Sequence, residues 1–402
     1  MKTGKRLSRC LSFLAAALLA FGTVVPDMPG RAARPVQNTV DDGLVVVTLG
    51  DSYSSGEGLE PFYGQNEPLE QKVNDEDWLA HRSKNAWPGR ITLPDASGLR
   101  VELRECFCEP WTSRGGVSWY SVASSGAETS ALYVSQLKYY AVFDRPLHGE
   151  LGSDILDPQL DIFEEIPKPA DYVTVTIGGN DVHFSEIIGL CMVTSSGLQP
   201  KKLKKRIADI WDEFYSTDSK TGVRNKIKQA YEDICAAAGP QACVIVVGYP
   251  TLLTAGSLLV SRNEAKQVNE AVRAFNAELA ALVGECRREK GLNICFVSVE
   301  EEFAGHEAYS DDPYIFPLTY NSGFNTTQDL IQMMPVSSYS MHPNEKGTEA
   351  YARAVQKKID ELETVKRIRK LPGRASRTET GLHGRVSVPF LKPEVYEVRQ
   401  RA

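Results

Sequence analysis

Five short apolar runs punctuate the chain. Leu44–Leu49 is rich in Val and closes on Gly50. Apolar, β-branched side chains at consecutive positions predict a strand buried on both faces. Trp119–Ala123, Tyr172–Ile177, Val244–Val247 and Ile294–Val299 predict four more, and the third of the five strands runs into Gly178-Gly179. Helical periods lie between them. Over Ser261–Arg288, Val268, Val272, Phe275, Leu279, Leu282 and Cys286 recur every three or four residues and form one stripe. Ser261 with Glu264 makes a capping box, and Gly291 supplies a stop. Glu345–Leu362 places Tyr351, Val355, Ile359 and Leu362 on one face. Further helices are expected over Thr129–Leu137, Pro200–Phe214 and Arg224–Ala236.

Alternating strands and helices predict an α/β fold whose parallel sheet is covered on both faces. Such sheets bind ligands at the carboxyl ends of their strands, so site residues should fall in loops just after strands. Residues 56–116 and 301–340 are long and irregular. Loops of that length in a compact domain serve as lids or binding walls.

Composition narrows the picture. The 402 residues are 42% hydrophobic and 24% charged, ordinary for a globular protein. A net charge of −7 gives no basic face for nucleic acid. Lys2, Lys5, Arg6 and Arg9 precede the apolar run Leu11–Val25, which reads as a secretory signal within residues 1–30. The run is shorter than the about 20 residues of a spanning helix. An uncleaved anchor is the other reading. Residues 40–365 form the expected catalytic domain. Residues 366–402 carry ten Lys/Arg against three acids and read as a flexible basic tail. The tail is either a solvated extension or a contact to an acidic cell envelope or lipid surface.

Eight cysteines are present. Cys10 precedes the apolar run, and the other seven leave at least one thiol without an intrachain partner. Export favours disulfides. Cys106-Phe-Cys108 lacks a second pair at zinc spacing, so no metal is expected. Cys243, Cys286 and Cys295 fall on apolar positions suited to buried thiols.

The candidate chemistry sits where an α/β site should. The first strand ends in Gly50-Asp51-Ser52, and Gly50 permits a sharp turn. The third ends in Gly178-Gly179-Asn180-Asp181, where Asn180 can donate an N–H to an oxyanion. Ser124-Ser125-Gly126-Ala127 follows the second strand and offers the Gly126 amide as another donor. His342-Pro343-Asn344 precedes the last helix, and a loop imidazole can deprotonate a serine. Taken singly, each block reads better as a turn, a cap or a structural side chain.

Together and in this order, the four blocks resemble the SGNH, or GDSL, hydrolase superfamily. The segments Leu49–Gly58, His81-Arg82-Ser83, Ser125-Gly126-Ala127, Gly178–Asp181, Phe303–His306 and His342-Pro343-Asn344 are similar to its secreted actinobacterial lipases and esterases. The resemblance spans roughly residues 43–362. It implies a three-layer α/β/α fold with a mostly five-stranded parallel sheet. It implies Ser52 as nucleophile, His342 as base, and an oxyanion hole of the Ser52 amide, the Gly126 amide and Asn180. It implies no cofactor, and a lipid or small acyl ester as substrate. A carbohydrate O-deacetylase on the same fold is the alternative, with Trp87, Trp111 or Trp119 as stacking platforms. A non-catalytic surface binding protein is a second alternative.

There are departures from the family pattern. The position three before the base normally holds Asp, and here it holds Tyr339. The resemblance therefore implies a Ser52–His342 dyad, with the Tyr339 main-chain carbonyl orienting the ring. Ala80 and Ser124 stand where relatives tend to have Cys, while Cys191 and Cys235 flank the insertion after the Asn block as a disulfide would. His81 and His306 are read as loop-structuring side chains, and His183 as part of the wall after Asn180.

Overall fold

The computed structural model describes residues 43–63, 76–106, 113–145, 148–187, 200–218, 222–254, 261–318 and 338–370. The expected signal segment lies outside them, as do residues 371–402, Cys108, Trp111 and Cys191.

The five apolar runs form the parallel strands β1 (Leu44–Gly50), β2 (Val117–Ser121), β3 (Tyr172–Thr176), β4 (Cys243–Val247) and β5 (Ile294–Val297). Their order in the sheet is β2-β1-β3-β4-β5, with the pair Ser113–Arg114 antiparallel on the outer edge of β2. Every residue of β2, β3 and β4 is buried. Side chains alternate between faces, so both faces of the sheet are covered.

Five helices matter to the site: α1 (Ser52–Ser55), α2 (Pro200–Phe214), α3 (Val223–Ala238), α4 (Arg262–Lys290) and α5 (Glu345–Lys370). Helices α3 and α4 pack together, and both α4 and α5 reach β5. The expected capping box holds α4: Ser261 Oγ accepts the Glu264 N–H at 3.3 Å, and the Glu264 carboxylate accepts the Ser261 N–H at 3.0 Å. Gly291 ends the helix at φ 65°.

Two elements differ from expectation. Thr129–Leu137 was expected to be helical, but only Thr129–Leu132 forms a single 3-10 turn. Ala131 and Leu132 are buried there, while Tyr133 and Val134 project into solvent, so the apolar stripe ends after one turn. From Gln136 the backbone pairs instead across the hairpin Gln136–Arg145 and His148–Leu156. The last helix runs to Lys370, into the expected tail, and the Lys366 ammonium lies 4.1 Å from the centre of the Tyr172 ring.

The disulfide expected between Cys191 and Cys235 falls on Cys191, which lies outside the described residues. Cys235 is a free thiol packed in the core facing Cys286 and Cys243, and burial pushes its pKa up to about 12. Among the described helices, none is long and apolar enough to cross a membrane.

Candidate active site

The strand order reverses between β1 and β3, and the crevice at their carboxyl ends is where such a sheet binds its ligand. Ser52, Gly126 and Asn180 all leave strands at this end. Gly50 closes β1 at φ 122°, and a Cβ there would stand 2.1 Å from the Thr176 carbonyl oxygen. Only glycine fits. The Gln159 side chain caps this strand end: it accepts the Gly50 N–H at 2.7 Å and donates to the Gly50 carbonyl at 2.9 Å.

Asp51 caps α1 by accepting the Tyr53 N–H at 3.0 Å. It also accepts the Thr176 hydroxyl at 2.8 Å and the Tyr249 hydroxyl. Tyr249 in turn accepts the Gly179 N–H at 3.1 Å. One buried carboxyl thus ties the loops after β1, β3 and β4 together. Burial outweighs these hydrogen bonds and raises its pKa to about 6.

Ser52 is 8% exposed, and its Oγ lies 2.7 Å from His342 Nε2. The Ser52 N–H opens α1, where a helix leaves its amides unpaired. Among the described residues neither this N–H nor that of Gly126 meets an acceptor. Gly126 is exposed at φ 73°. Its loop is anchored on both sides, by Ser124 N–H to the Gly50 carbonyl and Ser125 N–H to the Ala80 carbonyl, each at 2.9 Å. Asn180 Nδ2 donates to the Ala127 carbonyl at 2.8 Å, which leaves its second N–H free to face the crevice. Asp181 accepts the Thr129 N–H at 2.9 Å and the Thr129 hydroxyl at 2.5 Å. The arrangement gathers a hydroxyl, an imidazole and N–H donors at one strand end, the elements needed for acyl transfer.

His342 sits on a braced loop. Met341 takes φ 64°, its N–H reaches the Phe316 carbonyl at 3.0 Å, and the His342 carbonyl accepts the Phe316 N–H at 2.8 Å. Asn344 donates to the Pro313 carbonyl at 2.7 Å and caps α5 through the Gly347 N–H at 3.1 Å. From α1, the Tyr53 hydroxyl donates to the Met341 carbonyl at 2.7 Å, and its ring lies against His342 at 5.1 Å between centroids.

Tyr339, expected to orient the ring through its main chain, lies in the turn before His342. Its carbonyl accepts the main-chain N–H of His342 at 3.1 Å, closing the turn. The carbonyls of Ser338 and Ser340 face the imidazole, and Nδ1 is buried without an aligned acceptor. Burial holds the His342 pKa below its ordinary value of 6.5, against a smaller upward pull from the Glu57 carboxylate.

The other histidines have separate places. His81 is buried at φ 54°, stacks on Phe62 at 4.4 Å and lies 2.7 Å from Glu57. His306 stacks on Tyr314 at 3.8 Å, with Nδ1 2.8 Å from the Asp312 carbonyl. His183 is half-buried, 3.9 Å from Glu186. Trp87 and Trp119, expected as sugar platforms under the deacetylase reading, are each 1% exposed and belong to the core. Among the described residues, no group of three His, Cys, Asp or Glu side chains is arranged to hold a metal ion. Sequence reasoning missed Gln159, Tyr249 and Tyr53. Their partners lie 109, 198 and 288 residues away, and no local pattern signals such contacts.

The family model described as GDSL-like Lipase/Acylhydrolase matches residues 46–355. The chain is 23% identical over 318 residues to Lipase 1 of Streptomyces coelicolor, covering 78% of this chain and 90% of that protein. It is 24% identical over 317 residues to a lipase of Streptomyces rimosus, with the same coverage of 78% and 90%. The crystal structure of the extracellular lipase from Streptomyces rimosus aligns at 22% identity and a TM-score of 0.49, covering 79% of this chain and 99% of that one.

Proposed function

Because this chain belongs to the GDSL-like lipase/acylhydrolase family and is a carboxylic ester hydrolase, we propose that Ser52 and His342 carry its reaction. The observation that supports this most directly is the 2.7 Å contact between Ser52 Oγ and His342 Nε2 at the carboxyl end of β1. His342 takes the hydroxyl proton as Oγ attacks the ester carbonyl. Electrons move onto the carbonyl oxygen, which the Ser52 N–H, the Gly126 N–H and the Asn180 amide receive. The tetrahedral intermediate collapses, the C–O bond to the alcohol breaks, and His342 protonates the leaving oxygen. Water, deprotonated by His342, then releases the acid from Ser52.

With Tyr339 committed to the turn, the Ser338 and Ser340 carbonyls are the groups that hold the ring in this reading. Asp312, in the loop before the base, is paired with Lys346, which argues against its serving as a third member. The substrate is a lipid or small acyl ester rather than an acetylated sugar. The burial of Trp87 and Trp119 in the core supports that choice. The basic N-terminal segment and apolar run support export. The basic tail would hold the exported enzyme near an acidic envelope or lipid surface.

Stopped-flow hydrolysis of a series of p-nitrophenyl esters, run beside acetylated sugars, tests this reading. A burst of one nitrophenolate per enzyme, with acyl esters preferred, is expected. No burst and preference for the sugars would contradict it.

A further inference from the structure

We propose that Glu57, paired with His81, is a positioning residue that supplies the negative charge for the imidazolium of His342. No acid occupies residues 332–341, so the chain lacks an ordinary triad carboxylate just before its base. The proposal rests on the reading of Ser52 and His342 as the reacting pair.

Glu57 follows directly on the turn that ends α1. Its N–H, like that of Gly56, donates to the Ser52 carbonyl at 3.1 Å, which locks its backbone to that of the nucleophile. The residue is 1% exposed. A carboxylate at that depth is kept only if it is paired. One oxygen is: Oε2 lies 2.7 Å from His81 Nδ1, which donates to it. The Ser125 hydroxyl also favours the charged carboxylate, while Oε1 is buried without a hydrogen-bond partner among the described residues. Two buried atoms of the site thus lack aligned partners, an acidic oxygen and the imidazole Nδ1. The carboxylate and the ring attract each other once the ring is protonated.

Two cations lie near this carboxylate. Lys138 Nζ donates to the Ser125 carbonyl, and Arg82 Nε donates to the Ala123 carbonyl at 2.8 Å. Both hold the loop of Gly126. Facing the imidazole are Glu57 and His81, together with Ser52 and Tyr53 from α1. Facing Glu57 are His81, His342 and Lys138, with Arg82 beside Lys138. The acid remains ionised throughout the working range, its pKa lowered to about 2 by His81 and His342 against the cost of burial. Its pull on the His342 proton exceeds the opposing push of His81. In a dry site a charge at this range still acts, since little water screens it. When Ser52 gives up its proton, the carbonyls of Ser338 and Ser340 orient the ring, and Glu57 balances its charge.

The test is the pH profile of kcat/KM for Glu57→Gln with a p-nitrophenyl ester. The neutral amide removes the upward pull, so the acidic limb should move down by about 0.5–1 pH unit, with kcat reduced about tenfold and KM little changed. Glu57→Asp, which keeps the charge, should return the limb toward the wild-type position. If Glu57→Gln does not fold, His81→Gln replaces it. That variant leaves Glu57 charged without its partner, and the limb should move up. A limb that stays in place in the folded variant, while thermal stability alone falls, overturns the proposal. Fluorophosphonate labelling of Ser52 in the wild type separates the two readings. Without that label the Ser52–His342 reading fails; with it and an unmoved limb, only the role of Glu57 fails.

Discussion

Tyr53 donates its hydroxyl to the main-chain carbonyl of Met341 at 2.7 Å, so the residue after Ser52 holds the loop that presents His342. Met341 bears φ 64°, a conformation that L side chains rarely adopt. An outside contact that fixes its carbonyl helps to hold this turn. Burial keeps the Tyr53 phenol protonated far above neutral pH, so it donates at every working pH.

Tyr53→Phe should therefore loosen the loop without emptying the core. The expected outcome is a kcat lowered about tenfold, as misplaced reacting groups give, with KM near wild type. Thermal stability should fall by about 1 kcal/mol for the lost hydrogen bond. Steady-state kinetics and thermal melts check both, and an unchanged kcat would remove Tyr53 from the account.

Asn180 has two jobs for one amide: Nδ2 already donates to the Ala127 carbonyl, and the oxyanion would receive its other N–H. Asn180→Ala should lower kcat on the order of 10²–10³-fold with little change in KM, as loss of an oxyanion donor does elsewhere. A purely structural role would show instead as a lower melting temperature with kcat intact.

The pH dependence carries a definite sign. A base must be neutral to accept the Ser52 proton, so activity is lost as pH falls through the His342 pKa. Burial sets that pKa below 6.5, and the acidic limb of kcat/KM should lie below 6.5 too. Asp51, raised to about 6, titrates in the same window. Because its folded pKa exceeds its unfolded value of 3.8, it adds stability below about 3.8 that disappears as pH rises through about 6. Asp51→Asn should flatten that part of the stability profile and leave the His342 limb. A wild-type limb above 6.5 would contradict the account.

Much of this fold can be read in the sequence, because local signals and tertiary demands agree. The Val-rich run of β1 and the Ser261–Glu264 box each contain their own structural reason. The blocks of Ser52, Gly126, Asn180 and His342 stand just after strands or just before a helix. Legibility fails where the deciding contact is remote. Gln136 leaves the expected helix because its backbone pairs with Leu156. Tyr339 has the right spacing for an orienting carbonyl, and spacing does not tell that its oxygen also closes the turn before His342. Trp87 and Trp119 read equally well as platforms or core until the sheet is assembled around them. Glu57 is one more acid in a Gly-rich loop until His81 arrives from 24 residues away.

The central claim, that Ser52 is activated by His342, has one direct measurement. The protein is treated with a fluorophosphonate, and the adduct is mapped by peptide mass spectrometry in wild type, His342→Ala and Ser52→Ala. The account predicts one adduct on Ser52 in the wild type, labelling slowed by several decades in His342→Ala, and none in folded Ser52→Ala. An adduct on another serine that survives Ser52→Ala together with ester hydrolysis would contradict it.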